Sequence, residues 1–455
     1  MDAINDFLAR VIPYTEWIML FLIIGGGLFL VAYSKLLPYR YFTHAIAITR
    51  GKYDDPNDPG EVSHLQALSS AVAATVGLGN ISGVAIAIYL GGPGTVFWIW
   101  VTALVGMCIK FYSCSLAIMF RGHDSEGQLQ GGPMYYITKG MGAKARPLAV
   151  FFCLAGLFGV LPAFTTNQFT QTLMGVINPD ENIAAFGDFN WKLGIGIVLS
   201  VITSFVIFGG LKKIAKVATA LVPFMVLIYL FAVIFIMATN AAAIFPSLKL
   251  IFTEAFNFKT AIQGGLWGVI IIGIRRAVFS NEAGVGNAPM YHGQSKTTEP
   301  IQEGLVAMLG PFIDTIVVCT LTALVIILSG AYLDAETNGI TMTLIAFEKS
   351  LFGLGDVLLM VVVAAFALST LFTYSYYGTK CLSFLTNAKI GKYYNHIYIL
   401  SITFAAVASV DLVVNLIDLA FALMVIPNMI AVLYLAPQVN RAMKAYFLKA
   451  KNDTA

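Results

Sequence analysis

Apolar runs of about 18 residues or more recur along this chain at 14 to 34, 64 to 90, 93 to 120, 147 to 175, 192 to 210, 214 to 239, 261 to 289, 304 to 330, 355 to 386, 394 to 410 and 412 to 436. A helix of that length crosses the hydrocarbon core of a bilayer. The pattern therefore predicts an all-α polytopic membrane protein with about eleven transmembrane helices. Composition agrees, since 58% of the 455 residues are hydrophobic and 11% charged, against about 25% charged in soluble domains. Most of the surface must face lipid.

Basic residues set the orientation, because cytoplasmic loops hold the excess. With the N-terminus outside, about 19 of the 27 Lys and Arg residues fall on the inner side, in the groups Lys35 to Lys52, Arg121 to Arg146, Lys212 to Lys216, Lys296, Lys380 to Lys392 and Arg441 to Lys451. The outside keeps Arg10, Lys192, Lys249, Lys259 and Lys349. This places a multi-pass protein in the inner, cytoplasmic membrane with its C-terminus in the cytoplasm. No cleavage pattern follows the first apolar run, so that run is expected to stay. A net charge of +3 without a basic stripe argues against a nucleic-acid partner. Cys108, Cys114, Cys153, Cys319 and Cys381 lie in apolar segments without metal-ligand spacing and read as small buried hydrophobes. The inner segment Gly131-Gly-Pro-Met-Tyr-Tyr-Ile137 reads as a short interfacial helix.

Two spans are interrupted. The second contains Thr75-Val-Gly-Leu-Gly-Asn80 and the seventh runs from Gly273 through Glu282 to Gly284-Val-Gly-Asn287, so both carry Gly-x-Gly-Asn. Glycine and asparagine are poor helix formers, and irregular backbone at membrane depth is tolerated where it is buried in protein or lines a cavity. Glycines also permit close helix packing, yet matched interruptions in two halves point to a transporter site. Setting the first span aside leaves two sets of five, and an odd number per set forces opposite orientations. The expected organisation is residues 1–63 as an extra helix and loop, 64–240 and 241–440 as a 5+5 inverted repeat, and 441–455 as a cytoplasmic tail. At the second span's break, the amides of Leu78, Gly79 and Asn80 sit at a positive dipole end that attracts a carboxylate. Carbonyls from Ala73 to Val76 suit a cation or an ammonium. No Asp or Glu lies in that span, so a small zwitterion is the natural ligand.

Other polar positions in the spans have two readings each. Arg275 and Glu282 lie seven residues apart and can pair on one helix face, for structure or gating. Asp314 is either a proton relay or a satisfied acceptor near the inner end, and Lys110 is expected to snorkel to the inner interface. Ser369 and Thr370 offer oxygen ligands or simply bond back to the preceding turn. Thr165, Gln168 and Gln171 are expected to face the bundle interior, where any of them can touch substrate. No metal cluster, His-Glu-x-x-His or Ser-His pairing suggests an enzyme or a cofactor.

Three segments together, Gly77 to Trp100, Gly131 to Ile137 and Phe279-Ser-Asn-Glu-Ala-Gly284, resemble the alanine or glycine:cation symporter family along essentially the whole chain. The resemblance implies sodium-driven uptake of alanine or glycine by alternating access. It also implies a LeuT-type core of the amino acid, polyamine and organocation superfamily, preceded by one extra helix. Thr75 to Asn80 is similar, more distantly, to a stretch of the bacterial neurotransmitter:sodium symporters. That likeness implies a sodium site from the carbonyls of Ala73, Val76 and Phe366 with the hydroxyls of Ser369 and Thr370. It further implies substrate contacts at Thr75, Leu78, Gly79 and Asn80, and backbone contacts to the amine from Ile271, Ile272 and Gly273. The expected partners are alanine or glycine, with D-alanine as a further substrate, the sodium ion and the lipid bilayer. Proton coupling through Asp314 is the alternative within the class, and a channel or pore is the alternative outside it.

Overall fold

Without water to bond the main chain, apolar runs of this length fold as helices, and the computed structural model of the chain is a helical bundle. It describes residues 2–177, 188–257, 265–334, 339–351 and 353–452, so positions 261–264 of the seventh predicted span lie outside the described residues. In chain order the bundle contains α1 (Arg10–Tyr33), the pair α2 (His64–Thr75) and α3 (Leu78–Gly91), α4 (Thr95–Met119), α5 (Ala143–Ile177), α6 (Phe189–Ile207) and α7 (Gly210–Thr239). A second group follows: α8 (Gly265–Asn281), α9 (Ala288–His292), α10 (Pro300–Leu328), α11 (Gly355–Leu385), α12 (Tyr394–Val407) and α13 (Leu412–Leu448). Helix Ala241–Glu254 lies between the two groups in the chain, and Ile340–Ser350 lies between α10 and α11. A two-stranded antiparallel hairpin, Gly122–His123 with Leu129–Gln130, follows α4.

Among the described residues eight helices are long and apolar enough to cross a membrane, or nine with the bent α2–α3 pair counted as one span. The count falls short of eleven for identifiable reasons. The seventh predicted span is divided into α8 and α9, and α12 has 14 residues, about 21 Å at 1.5 Å per residue. Outward faces carry large apolar side chains, with Phe205, Phe231 and Phe245 more than 70% exposed, as a lipid-facing surface requires. The centre is α4, where Ile109, Phe111, Tyr112 and Leu116 are fully buried. The extra helix α1 packs along α13.

Two expectations from the sequence are corrected. Lys110 does not reach an interface: it is 2% exposed, lies beside Gly310, and is the cation facing both Asp314 and Glu282. Nor does the Gly131 to Ile137 segment lie along the membrane surface. Met134, Tyr136 and Ile137 are fully buried, and the Tyr136 hydroxyl donates to Asn428, whose amide in turn donates to the Gly284 carbonyl at 2.6 Å. The segment thus props the break between α8 and α9. Its glycines allow this approach, because a Cβ on Gly131 would stand 2.6 Å from Gly293 Cα and 2.8 Å from the Ala117 carbonyl oxygen. Backbone on both sides cannot yield cheaply, so Gly131→Ala is expected to cost ~1–3 kcal/mol. The measurement is the thermal unfolding midpoint in detergent, and an unchanged midpoint would contradict this packing.

Candidate substrate and ion site

The helix at α2 ends because Val76 leaves it (ψ 92°) and Gly77 is fully extended, after which α3 restarts at an angle of 41°. Three donors and acceptors of Asn80 hold this break. Its Oδ1 accepts from the Gly77 amide at 3.0 Å, while its Nδ2 donates to the Asp314 carbonyl at 2.7 Å and lies 2.9 Å from the Ser280 hydroxyl. Asn80 therefore ties both interrupted spans to α10, and its side chain is committed to the fold. Leu78 and Gly79 occupy the first turn of α3, where amides have no intrahelical acceptor.

Opposite the break stands α11. The Thr370 hydroxyl lies 3.4 Å from the carbonyl oxygens of Ala73 and Ala74 and 3.2 Å from that of Phe366. A Cβ at Gly77 would fall 2.6 Å from the same hydroxyl, so glycine there lets the two helices touch. Ala73, Val76, Phe366, Ser369 and Thr370 are all buried, and four oxygens from two helices converge without a carboxylate. Ser369 also bonds back to Phe366 at 2.8 Å. Thr75 is buried with its hydroxyl 3.5 Å from the Val72 carbonyl.

The second break spans Glu282 to Asn287, with left-handed backbone at Glu282, Gly284 and Gly286. Arg275 and Glu282 do not pair. Arg275 binds Glu16 of α1 at 2.5 Å, whereas Glu282 accepts from Tyr374 of α11 and from Asn287 at 3.0 Å. The reason is that the helix ends between them, turning Glu282 inward. Ile271, Ile272 and Gly273 sit within continuous α8, ahead of the break, so their carbonyls belong to the helical ladder. A Cβ on Gly273 would meet Trp98 at 2.6 Å, which places that turn against α4 and away from the interruption.

In α5, the Ser82 hydroxyl of α3 donates to Gln168 at 2.7 Å, and Thr165 is buried. Gln171 is exposed on the far side, with only a 3.4 Å bond from Gln168 to connect it inward. Asp314 is fully buried in a π-helical stretch, Phe312 to Cys319. Its Oδ1 accepts from Thr315, the Thr75 side chain is a neighbour, and its Oδ2 makes no hydrogen bond of ordinary geometry among the described residues. Asn80 bonds the Asp314 main-chain carbonyl, so Asp314 lies at the level of the first break and not near the inner end.

Sequence reasoning missed the aromatic roof. The Phe279 ring stands 3.1 Å from where a Gly79 Cβ would lie, with Phe164 edge-on at 4.7 Å and Phe421 at 6.0 Å. Three apolar positions on three spans carry no signal of their own in a hydrophobic sequence. Above them lie Glu16, Arg275 and Asp418. Toward the lysine-rich side a cavity of 690 Å³ is lined by Glu61, Lys212, Ser375, Tyr376, Lys380 and His396, among others.

Two interrupted spans facing each other within a lipid-facing bundle define a multi-pass membrane transporter with a LeuT-type fold. The fold matches the crystal structure of MhsT in complex with L-phenylalanine, with a TM-score of 0.57 over 86% of this chain and 99% of that one at 14% identity. The sodium:alanine symporter family is matched over residues 1–455, and the chain belongs to that family. It is 38% identical to the sodium/alanine symporter AgcS of Methanococcus maripaludis, covering 100% of this chain and 98% of that protein. It is 33% identical to the amino-acid carrier protein AlsT of Bacillus subtilis, over 99% and 94% of the two chains.

Removing the Asn80 side chain leaves several buried groups unpaired, each costing about 1–3 kcal/mol. Asn80→Ala is accordingly expected to lower stability by on the order of 3 kcal/mol, measured by denaturant unfolding in detergent; a loss below about 0.5 kcal/mol would contradict the bridging role.

Proposed function

We propose that this chain carries L-alanine into the cell with sodium by alternating access, and that glycine and D-alanine are also substrates. The observation that carries this reading is the convergence at the α2–α3 break. Free amides of Leu78 and Gly79 suit a carboxylate at a positive helix end. The carbonyls of Ala73, Val76 and Phe366 and the hydroxyls of Ser369 and Thr370 suit a small cation. Thr75 and the Ser82–Gln168 pair border the same region, and Thr165 contributes from α5. Phe279 over Gly79 leaves little room beside the carboxylate position, which favours a side chain no larger than methyl. Recognition through main-chain dipoles imposes little handedness, and this supports acceptance of both alanine enantiomers.

The lysine distribution supports a cytoplasmic C-terminus in the inner membrane. The basic cavity then faces the cytoplasm, roughly 8 to 15 Å along α11 from Thr370 at 1.5 Å per residue. The pairing of Gly77-x-Gly-Asn80 with Gly284-x-Gly-Asn287 supports residues 64–240 and 241–440 as inverted repeats. The Oδ2 of buried Asp314, without a hydrogen bond of ordinary geometry among the described residues, favours a second reading, in which a proton accompanies or replaces sodium. Uptake driven by a pH gradient in sodium-free medium and lost in Asp314→Asn would establish that reading.

In proteoliposomes, the double substitution Ser369→Ala with Thr370→Ala is expected to raise the sodium concentration for half-maximal alanine uptake at least tenfold. Unchanged sodium stimulation would reject the site. Non-saturating flux that cannot concentrate alanine would reject symport in favour of a pore.

A further inference from the structure

A buried cluster on the lysine-rich side joins the inner limbs of both interrupted spans and takes no part in the site described above. Glu303, near the start of α10, is fully buried. One carboxylate oxygen accepts from the His292 imidazole at 2.5 Å, at the last residue of α9. The other accepts from His64, the first residue of α2, and from the Ser295 hydroxyl at 2.6 Å. Both imidazoles are 1% exposed. One carboxylate thus closes on α2, α9 and the loop after α9.

The main chain repeats the connection. The Glu61 amide donates to the Gln294 carbonyl at 2.8 Å, and the Lys296 amide donates to the Val62 carbonyl at 2.8 Å. Arg121, just beyond α4, donates to the carbonyls of Gly293 at 2.8 Å, Thr297 at 2.6 Å and Pro59 at 3.2 Å, and also to that of Ser295. Burial lowers its pKa to about 10, so it remains charged at physiological pH. Ends of α2, α4, α9 and α10 are therefore fastened at one point.

We infer that Glu303 is a positioning residue that welds the inner limbs of both broken spans into one body, with a hold that tightens as cytoplasmic pH falls. The sign follows from the bonds. Protonating the His64 imidazole places a full positive charge against a carboxylate it already bonds, so the hold strengthens toward acid and slackens as the pH rises. The groups facing the cluster are Asp54, 3.8 Å from the other nitrogen of His64, Arg121, Ser295 and, from α4, Cys114. Asp54 acts in the same direction as Glu303, and Arg121 opposes imidazole protonation. The consequence is that α2 cannot peel away alone. Opening toward the cytoplasm has to move α2, α9 and α10 together against α7 and α11.

Hydrogen exchange of the purified full-length chain in lipid nanodiscs, without alanine or sodium, tests this independently of the transport reading. After correction for intrinsic exchange, wild-type segments 61–75 and 288–297 are expected to gain about tenfold protection between pH 8 and pH 6. In Glu303→Gln both segments are expected to lose at least tenfold protection at pH 6 and to become insensitive to pH, with 95–119 unchanged. His64→Gln is expected to loosen 61–75 alone, because His292 still holds 288–297. Wild-type-like protection in Glu303→Gln overturns the inference, as does an equal loss in every segment, which marks general destabilisation.

Discussion

Main-chain amides and carbonyls at membrane depth must find partners inside the protein, and the rest of this structure follows from how two interrupted spans meet that demand. Side chains supply many of the missing bonds. Asn80 bonds the Gly77 amide and the Asp314 carbonyl, Asn428 bonds the Gly284 carbonyl, and Asn281 takes the Ala283 amide. Thr370 reaches the last carbonyls of α2 from the opposite helix. What remains after this satisfaction is the first-turn amides of α3 on one side and a ring of oxygens on the other. On the proposed reading, a zwitterion and a small cation complete that arrangement.

The two breaks are built differently, and the difference assigns them different work. The first is short, two residues at Val76 and Gly77, and is pressed against Thr370. The second extends from Glu282 to Asn287 and is braced by Tyr374, Asn428 and the buried segment at Tyr136. The proposed site lies at the first, where polar groups are left available. Packed clusters flank it: the Phe164–Phe279–Phe421 roof with Glu16 and Arg275, and the Glu303 cluster. The extra helix α1 joins the cover on the aromatic side, since it supplies Glu16 to Arg275.

Hydrophobic run length made the bundle legible, and Gly-x-Gly-Asn made both breaks legible, because glycine and asparagine are costly in an apolar helix without a reason. Ser369 and Thr370 stand out as candidate oxygen ligands because adjacent hydroxyls in an apolar span are few, whereas Ala73 and Phe366 enter only through the resemblance. Three things were hidden. The seventh span's break begins at Glu282, not near Gly273, because Arg275 and Arg276 are accommodated within a continuous helix by charges from α1 and α13, Glu16 and Asp418. The Arg275–Glu16 pair joins residues 259 positions apart, and no local spacing reveals such a partner. The aromatic roof and the burial of Met134 and Tyr136 depend on tertiary packing, in a chain where an apolar residue is expected everywhere.

Equilibrium binding of radiolabelled alanine to the purified protein, in sodium and then in an equal concentration of choline, tests the central claim most directly. Ligand and ion completing one set of main-chain dipoles should bind together, so saturable alanine binding is expected in sodium and at least tenfold weaker binding in choline. Equal affinity in both salts, or saturable binding in neither, would contradict the account.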